Sequence, residues 1–172
     1  MISAHWPGVG GGGERTHGPH GAPGPGTGPR PATAVAEART GLAEGGIPIA
    51  AARHGPDGTL LGRGRGRRVQ DDDPSMRAET AAFRAAGRQR TYRGTTMVTT
   101  LPPRWYCGNL LRRFGISRVV TGEAVTFDGG HDRPAAHGVE ILVLDDPGCV
   151  ALLRGFVRDR PALCNEDIGG RT

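Results

Sequence analysis

The sequence predicts an α/β protein, a three-layer α/β/α sandwich on a five-stranded mixed sheet, and three observations carry that expectation. Segments of strand and of helix character alternate from about residue 32 onward, the pattern of a sheet covered by helices on both faces. The strand candidates are β-branched or continuously apolar, as buried strands are. The chain is 172 residues long, which leaves room for one ordinary core.

The ordered part begins late. Residues 1–31 include "GVGGGGERTHGPHGAPGPGTGPRP", a glycine and proline tract with too few apolar side chains to offset the entropy of ordering it. The reading is a disordered segment over 1–31 and one domain over 32–172. His5, His17 and His20 within the tract read as solvated rather than as metal ligands.

Each element then follows from local chemistry. "ATAVAEARTGLAEGG" is alanine-rich and ends at a glycine pair, as a helix C-terminus does. "IPIAAARHGPDGTLLGRGRGRR" reads as two strands joined by a Pro-Asp-Gly turn. In "DDDPSMRAETAAFRAAG" acidic residues, a proline and a serine stand ahead of an alanine-rich stretch, which predicts a strong helix start. "GTTMVTTL" is a buried strand, "RWYCGNLLRRFG" a helix closed by glycine, and "SRVVTG" a further strand. "VEILVLDD" predicts the clearest central strand, and "GCVALLRGFVRDRP" a helix stopped by Pro161.

Composition narrows the functional classes. The formal charge is +5 and the pI is near 10, yet all 22 basic residues are arginine, which reads as a coding-DNA bias and not as a nucleic-acid footprint. Part of the "GRGRGRR" run belongs to a predicted strand, so no nucleic-acid partner is expected from it. Three cysteines, Cys107, Cys149 and Cys164, are an odd number at no regular spacing, and no charged start leads into a long apolar run. A cytoplasmic location and no membrane partner are the expectations.

Two places are chemically loaded, "SMRAET" around Glu79 and "LPPRWYC" around Cys107. Both are predicted helix N-termini, which present free N–H groups and partial positive charge to anions, thiolates and water. A glutamate at one and a cysteine at the other are joined by the strand "GTTMVTT". This arrangement resembles the zinc nucleobase deaminases, and most of all the fungal-type cytosine deaminases. The resemblance runs from about Ala34 to Gly169 and is carried by "EGGIPI", "DGTLLGRGRGRR", "AET", "YRGTTMVTTL", "VVTGEAVTF", "VLDD" and "NEDIGG".

The resemblance implies a cytidine-deaminase-like fold, a homodimer with "LLRRFG" at its interface, and a small heterocycle as ligand. In that family a His-x-Glu and a Pro-Cys-x-x-Cys motif supply three zinc ligands, and the glutamate shuttles protons. Here "RAE" keeps Glu79 but has Arg77 for the histidine, and "PRWYC" keeps Pro103 and Cys107 but has Arg104 for the first cysteine. A guanidinium has no lone pair to give a metal, and zinc needs about three protein ligands. No cofactor is therefore expected, with Cys107 the one retained ligand. The family asparagine that grips the pyrimidine corresponds to Gly66, the retained aromatic wall to Phe127, and the lid aspartate to Asp167, while Cys164 and Asn165 stand where the lid aromatics would be.

Two readings of the arginines stay open: one guanidinium pairs with Glu79 and fills a fossil site, or both form an anion-binding pocket with bidentate forks. Cys107 is a packed remnant, or a nucleophile whose pKa is lowered by a helix N-terminus and a nearby arginine, with Glu79 moving protons. His54, His131 and His137 read as solvated surface residues, and Asp71 to Asp73 as a solvated helix start rather than a magnesium site. The functional classes that follow are a zinc-free amidine hydrolase, a non-catalytic binder of a nucleobase-like or anionic metabolite, and a decayed gene product.

Overall fold

The computed structural model describes residues 31–126 and 138–168. The expectations for the N-terminal arm, Phe127, His131 and His137 lie outside these residues. The strands are β1 (Ala50–His54), β2 (Leu60–Arg65), β3 (Thr96–Thr99), β4 (Arg118–Thr121) and β5 (Glu140–Val143). The helices are α1 (Ala32–Ala43), α2 (Ala78–Ala85), α3 (Trp105–Phe114), α4 (Pro147–Asp159) and α5 (Pro161–Ile168).

The strands form one mixed sheet in the order β2-β1-β3-β4-β5. β1 runs antiparallel to β2 and β3, while β3, β4 and β5 are parallel, with Val98 opposite Val120 and Val120 opposite Leu142. Every residue of β1 and β3 is buried, as interior strands of a twice-covered sheet must be. One face carries α2 and α3 over Ala51, Ala78, Ala82, Met97, Leu111, Ile116 and Val119. On the other face α1 packs on β1 and β2 and touches α4, and Ile47, Phe156 and Cys164 form a second cluster. The sandwich expected from the sequence is the observed fold.

The "GRGRG" run acquires a structural reason in β2, an edge strand. Side chains alternate between faces, so Gly62 and Gly64 meet α2 while Arg63 and Arg65 meet α1. A Cβ on Gly62 would lie 2.3 Å from the Ala86 nitrogen, and one on Gly64 2.5 Å from the Ala81 Cβ. On the opposite face Arg63 and Arg65 pair with Glu37 at 3.0 and 2.7 Å, and Arg65 also pairs with Glu44 at 2.6 Å.

Two expectations need correction, the place of β5 and the exposure of His54. "VEILVLDD" supplies an edge strand, not a central one: β5 pairs with β4 alone among the described strands, and Leu142 and Leu144 are more than a third exposed. A continuous apolar run does not reveal how many neighbours a strand has. α2 begins at Ala78, within the "SMRAET" stretch where a helix N-terminus is expected, and ahead of it Asp73 holds a local turn, accepting from the Ser75 N–H at 2.8 Å and its hydroxyl at 2.7 Å. Asp71 pairs with Arg67. His54 is buried, 8% exposed at the end of β1, and burial pushes its pKa down. Pro161 does stop α4, but it also opens α5, consistent with the tolerance of proline at a first helical position.

The best-capped helix is α4. Asp146 accepts from the Cys149 N–H at 3.0 Å and proline stands in its first turn. Gly115 closes α3 at φ +65°, a conformation that costs other residues their Cβ clearance.

Candidate ligand-binding site

The N-termini of α2 and α3 converge at one end of the sheet. Arg77 is the N-cap residue of α2 and Arg104 that of α3, both in extended backbone, and neither side chain caps its helix. Two residues on from Arg77, Glu79 turns inward and is 5% exposed; three on from Arg104, Cys107 does the same at 3%. α5 closes the site from the C-terminal end, held by Cys164 in the cluster with Ile47 and Phe156, and contributes Asp167.

These elements enclose a cavity of about 480 Å³, lined by Gly66, Arg77, Glu79, Arg104, Cys107 and Asp167, and also by Ile47, Ile49, Arg68, Leu101, Trp105 and Tyr106. Six of the seven residues singled out from the sequence thus share one cavity; the seventh, Phe127, lies outside the described residues. The volume is that of a small-molecule pocket. Ile49 and Leu101 give it an apolar floor, and Trp105 and Tyr106, 64% and 58% exposed, give it an aromatic mouth.

The charge pairing departs from expectation. Arg77 Nη1 donates to Asp167 Oδ1 at 2.6 Å and Nη2 to Oδ2 at 3.5 Å, so the salt bridge expected on Glu79 forms on Asp167. The geometry explains the exchange: Glu79 is buried and engaged by the Cys107 thiol and its own backbone N–H, whereas the Asp167 carboxylate meets Arg77 from α5. Arg77 still feels the charge of Glu79. Arg68 adds a second fork, with Nη1 3.4 Å from Asp167 Oδ1 and Nη2 on Glu166.

Burial pushes the Glu79 carboxyl above the usual carboxylate range, against the opposing pull of the Cys107 thiol, the backbone and Arg77. Burial also pushes the Cys107 thiol strongly up, and the neighbouring Glu79 charge and hydrogen bond reinforce it. The lowered thiol pKa expected at this helix N-terminus is therefore reversed: a carboxyl hydrogen-bonded to the sulfur in a dry site outweighs the dipole and the arginine. For Arg77, burial works downward, but the Asp167 carboxylate more than compensates and the net shift is upward.

Sequence reasoning missed Arg68, Trp105 and Tyr106. Arg68 was hidden in an arginine-rich run, and it lies past the end of β2 in a turn that strand alternation does not reach. Trp105 and Tyr106 lie between Arg104 and Cys107 and carried a signal, being large aromatics at a helix N-terminus. Gly66 needs no special backbone, and a Cβ there would meet nothing closer than the Ile49 carbonyl at 3.6 Å; its effect is to leave space.

The donor set does not fit zinc. At the three positions that the deaminase resemblance assigns to ligands stand two guanidinium groups and one thiol, and only the thiol has a lone pair to give. The residues able to supply oxygen donors are engaged elsewhere, Asp167 by Arg77 and Arg68 and Glu79 by Cys107. Among the described residues no three His, Cys, Asp or Glu side chains are grouped as a metal site.

Fold and site together define an α/β domain of the deaminase kind, with its pocket at two helix N-termini. Residues 30–123 match the family model described as "Cytidine and deoxycytidylate deaminase zinc-binding region". The chain is 37% identical over 138 residues to the cytosine deaminase of Candida albicans, covering 79% of this chain and 92% of that protein. It belongs to the cytidine deaminase superfamily. Among solved structures, a protein in complex with 2,6-diaminopurine superimposes with a TM-score of 0.65 at 22% identity, over 75% of this chain and 80% of that one. The guanine deaminase from Nitrosomonas europaea does so with a TM-score of 0.61 at 23% identity, over 73% and 81%. Among the described residues no helix is long and apolar enough to cross a membrane.

Proposed function

We propose that this chain binds a small, planar, nucleobase-like heterocycle in the cavity between α2, α3 and α5, as a family member without the zinc hydroxide step. The observation that carries the reading is the division within one cavity: Glu79 and Asp167 are kept, whereas Arg77 and Arg104 stand at two ligand positions. Support for the ligand class comes from the relatives, which include a cytosine deaminase and a guanine deaminase. The aromatic mouth offers a face for stacking. The inward carboxyl of Glu79, favoured in its neutral form by burial, has a proton to donate to a ring nitrogen.

The binder is preferred over a zinc-free hydrolase because, among the described residues, the thiol that would act as nucleophile is pushed toward its protonated form by burial and by Glu79. Hydrolytic deamination with Cys107 as nucleophile and Glu79 as proton carrier is the second reading, and the Glu79–Cys107 hydrogen bond favours it. In that reaction the thiol passes its proton to the Glu79 carboxylate, sulfur bonds to the amidine carbon, ammonia leaves with that proton, and water then displaces the thiol to give the carbonyl product at the same oxidation level. The raised thiol pKa stands against it. A homodimer with residues 110–115 at its interface belongs to the same proposal, supported by the partial exposure of Phe114.

The test is to measure binding and ammonia release on the same chelator-treated protein, over cytosine-like, aminopyrimidine and aminopurine compounds. Saturable binding without ammonia is expected. Release that disappears in both Glu79→Ala and Cys107→Ser would establish the hydrolase instead.

A further inference from the structure

The geometry points to a ligand that is anionic as well as planar: a nucleobase-like heterocycle carrying a carboxylate or phosphate group, which takes Arg77 and Arg68 from Asp167. This rests on the pocket reading above and specifies its ligand class. Three guanidinium groups, of Arg68, Arg77 and Arg104, line the cavity against the carboxyls of Glu79 and Asp167. With both carboxyls ionised the lining residues themselves carry an excess of one positive charge, while Glu166, outside the lining, pairs with Arg68. Burial favours the neutral form of Glu79, which enlarges that excess. The two N-cap arginines add to the cost, since each places a cation at the positive end of a helix.

Something anionic is already bound in this place, and it belongs to the chain. The Asp167 side chain is 5% exposed and is held by Arg77 at 2.6 Å and by Arg68 at 3.4 Å. One carboxylate thus serves two guanidinium groups, whose planar forks match carboxylate and phosphate equally well. Arg77 is 24% exposed and Arg68 16%, so both remain reachable from the cavity. Asp167 therefore acts as an internal competitor. A neutral heterocycle leaves the Arg77–Asp167 bridge intact, whereas an anionic one exchanges with it and removes a tie between α5 and α2.

The experiment is calorimetric titration of the full chain with uracil, with orotate as its carboxylated counterpart, and with uridine monophosphate as the phosphate source. Orotate, uridine monophosphate or both should bind at least about tenfold tighter than uracil, the size of one charge-assisted contact; which one does so identifies the anion. Asp167→Asn should tighten the anionic ligand relative to uracil, and Arg77→Met should abolish the preference. Hydrogen exchange on the unmutated protein gives a reading independent of any variant's folding: the anionic ligand should speed exchange in α5 relative to uracil. Equal affinity for uracil and both anions would overturn the anion proposal while sustaining the heterocycle pocket. An anionic ligand weakened by Asp167→Asn, or slower exchange in α5 with that ligand, would overturn the competition with Asp167. Failure of all three compounds would overturn the pocket reading itself.

Discussion

Arg53 offers a quantitative test of how this core is held together. It lies mid-sheet in β1, is 0% exposed, and none of its three guanidinium nitrogens has a hydrogen-bond partner among the described residues. Its cation rests over Tyr92 at 4.5 Å and Phe83 at 5.2 Å from the ring centroids. Those rings pack on each other and on Phe114. Desolvating a charge costs several kcal/mol, and the two ring contacts return about 2 kcal/mol when dry. The same desolvation depresses the pKa of Arg53. Arg53→Met keeps the length of the side chain and its ring contacts without the charge. Replacing buried charges by apolar groups of similar volume gains about 1–4 kcal/mol, less about 1 kcal/mol for imperfect repacking. The variant should therefore be no less stable and up to about 3 kcal/mol more stable, or up to about 10 °C higher in Tm for a domain of this size. Urea titration checks it, with a higher midpoint at unchanged slope. A loss of more than about 2 kcal/mol would refute the reasoning, showing that the aromatic cage holds the cation more strongly than water does.

Glu79→Gln should be neutral to stability near pH 4 and increasingly stabilising toward pH 7, measured by thermal melts across that range. The sign follows from the raised pKa of the folded state. Below the ordinary carboxyl pKa both states are protonated, and above it the unfolded chain ionises first, so the native protein loses stability as pH rises toward the folded-state pKa; glutamine removes that slope. Restoring Arg77→His together with Arg104→Cys should create a site that takes up about one zinc per chain, since three donors then surround the cavity. Metal analysis of the folded double variant checks this, and a folded variant that takes up no zinc would refute the correspondence of these positions with family ligands.

The layers and the strand count were legible because buried strands and capped helices leave local marks: β-branched "GTTMVTT", the Gly115 helix end, and the Asp-Pro pair ahead of α4. The place of β5 was not, because an edge position depends on a missing neighbour, which no residue in "VEILVLDD" encodes. The site was legible in its membership and illegible in its pairings. Motif spacing brought Arg77, Glu79, Arg104 and Cys107 together. The choice of Asp167 over Glu79 by Arg77 depends on the approach of α5, about ninety positions away along the chain. The Cys107 thiol misled for a related reason: helix dipole and arginine are visible in sequence, whereas dryness and a carboxyl against the sulfur are consequences of packing.

The hydrogen side chains of Gly62 and Gly64 place a control over the pocket at the far margin of the sheet. Because α2 lies directly on the β2 backbone there, the standoff of that helix is set by what these two positions lack. A single methyl group at either would lift α2 and carry Arg77 and Glu79 with it, altering the shape of the cavity from a strand that forms none of the polar contacts described within it. Variation in such a protein can thus reshape the cavity by changing the thickness of a remote spacer, leaving every residue that lines it as it was.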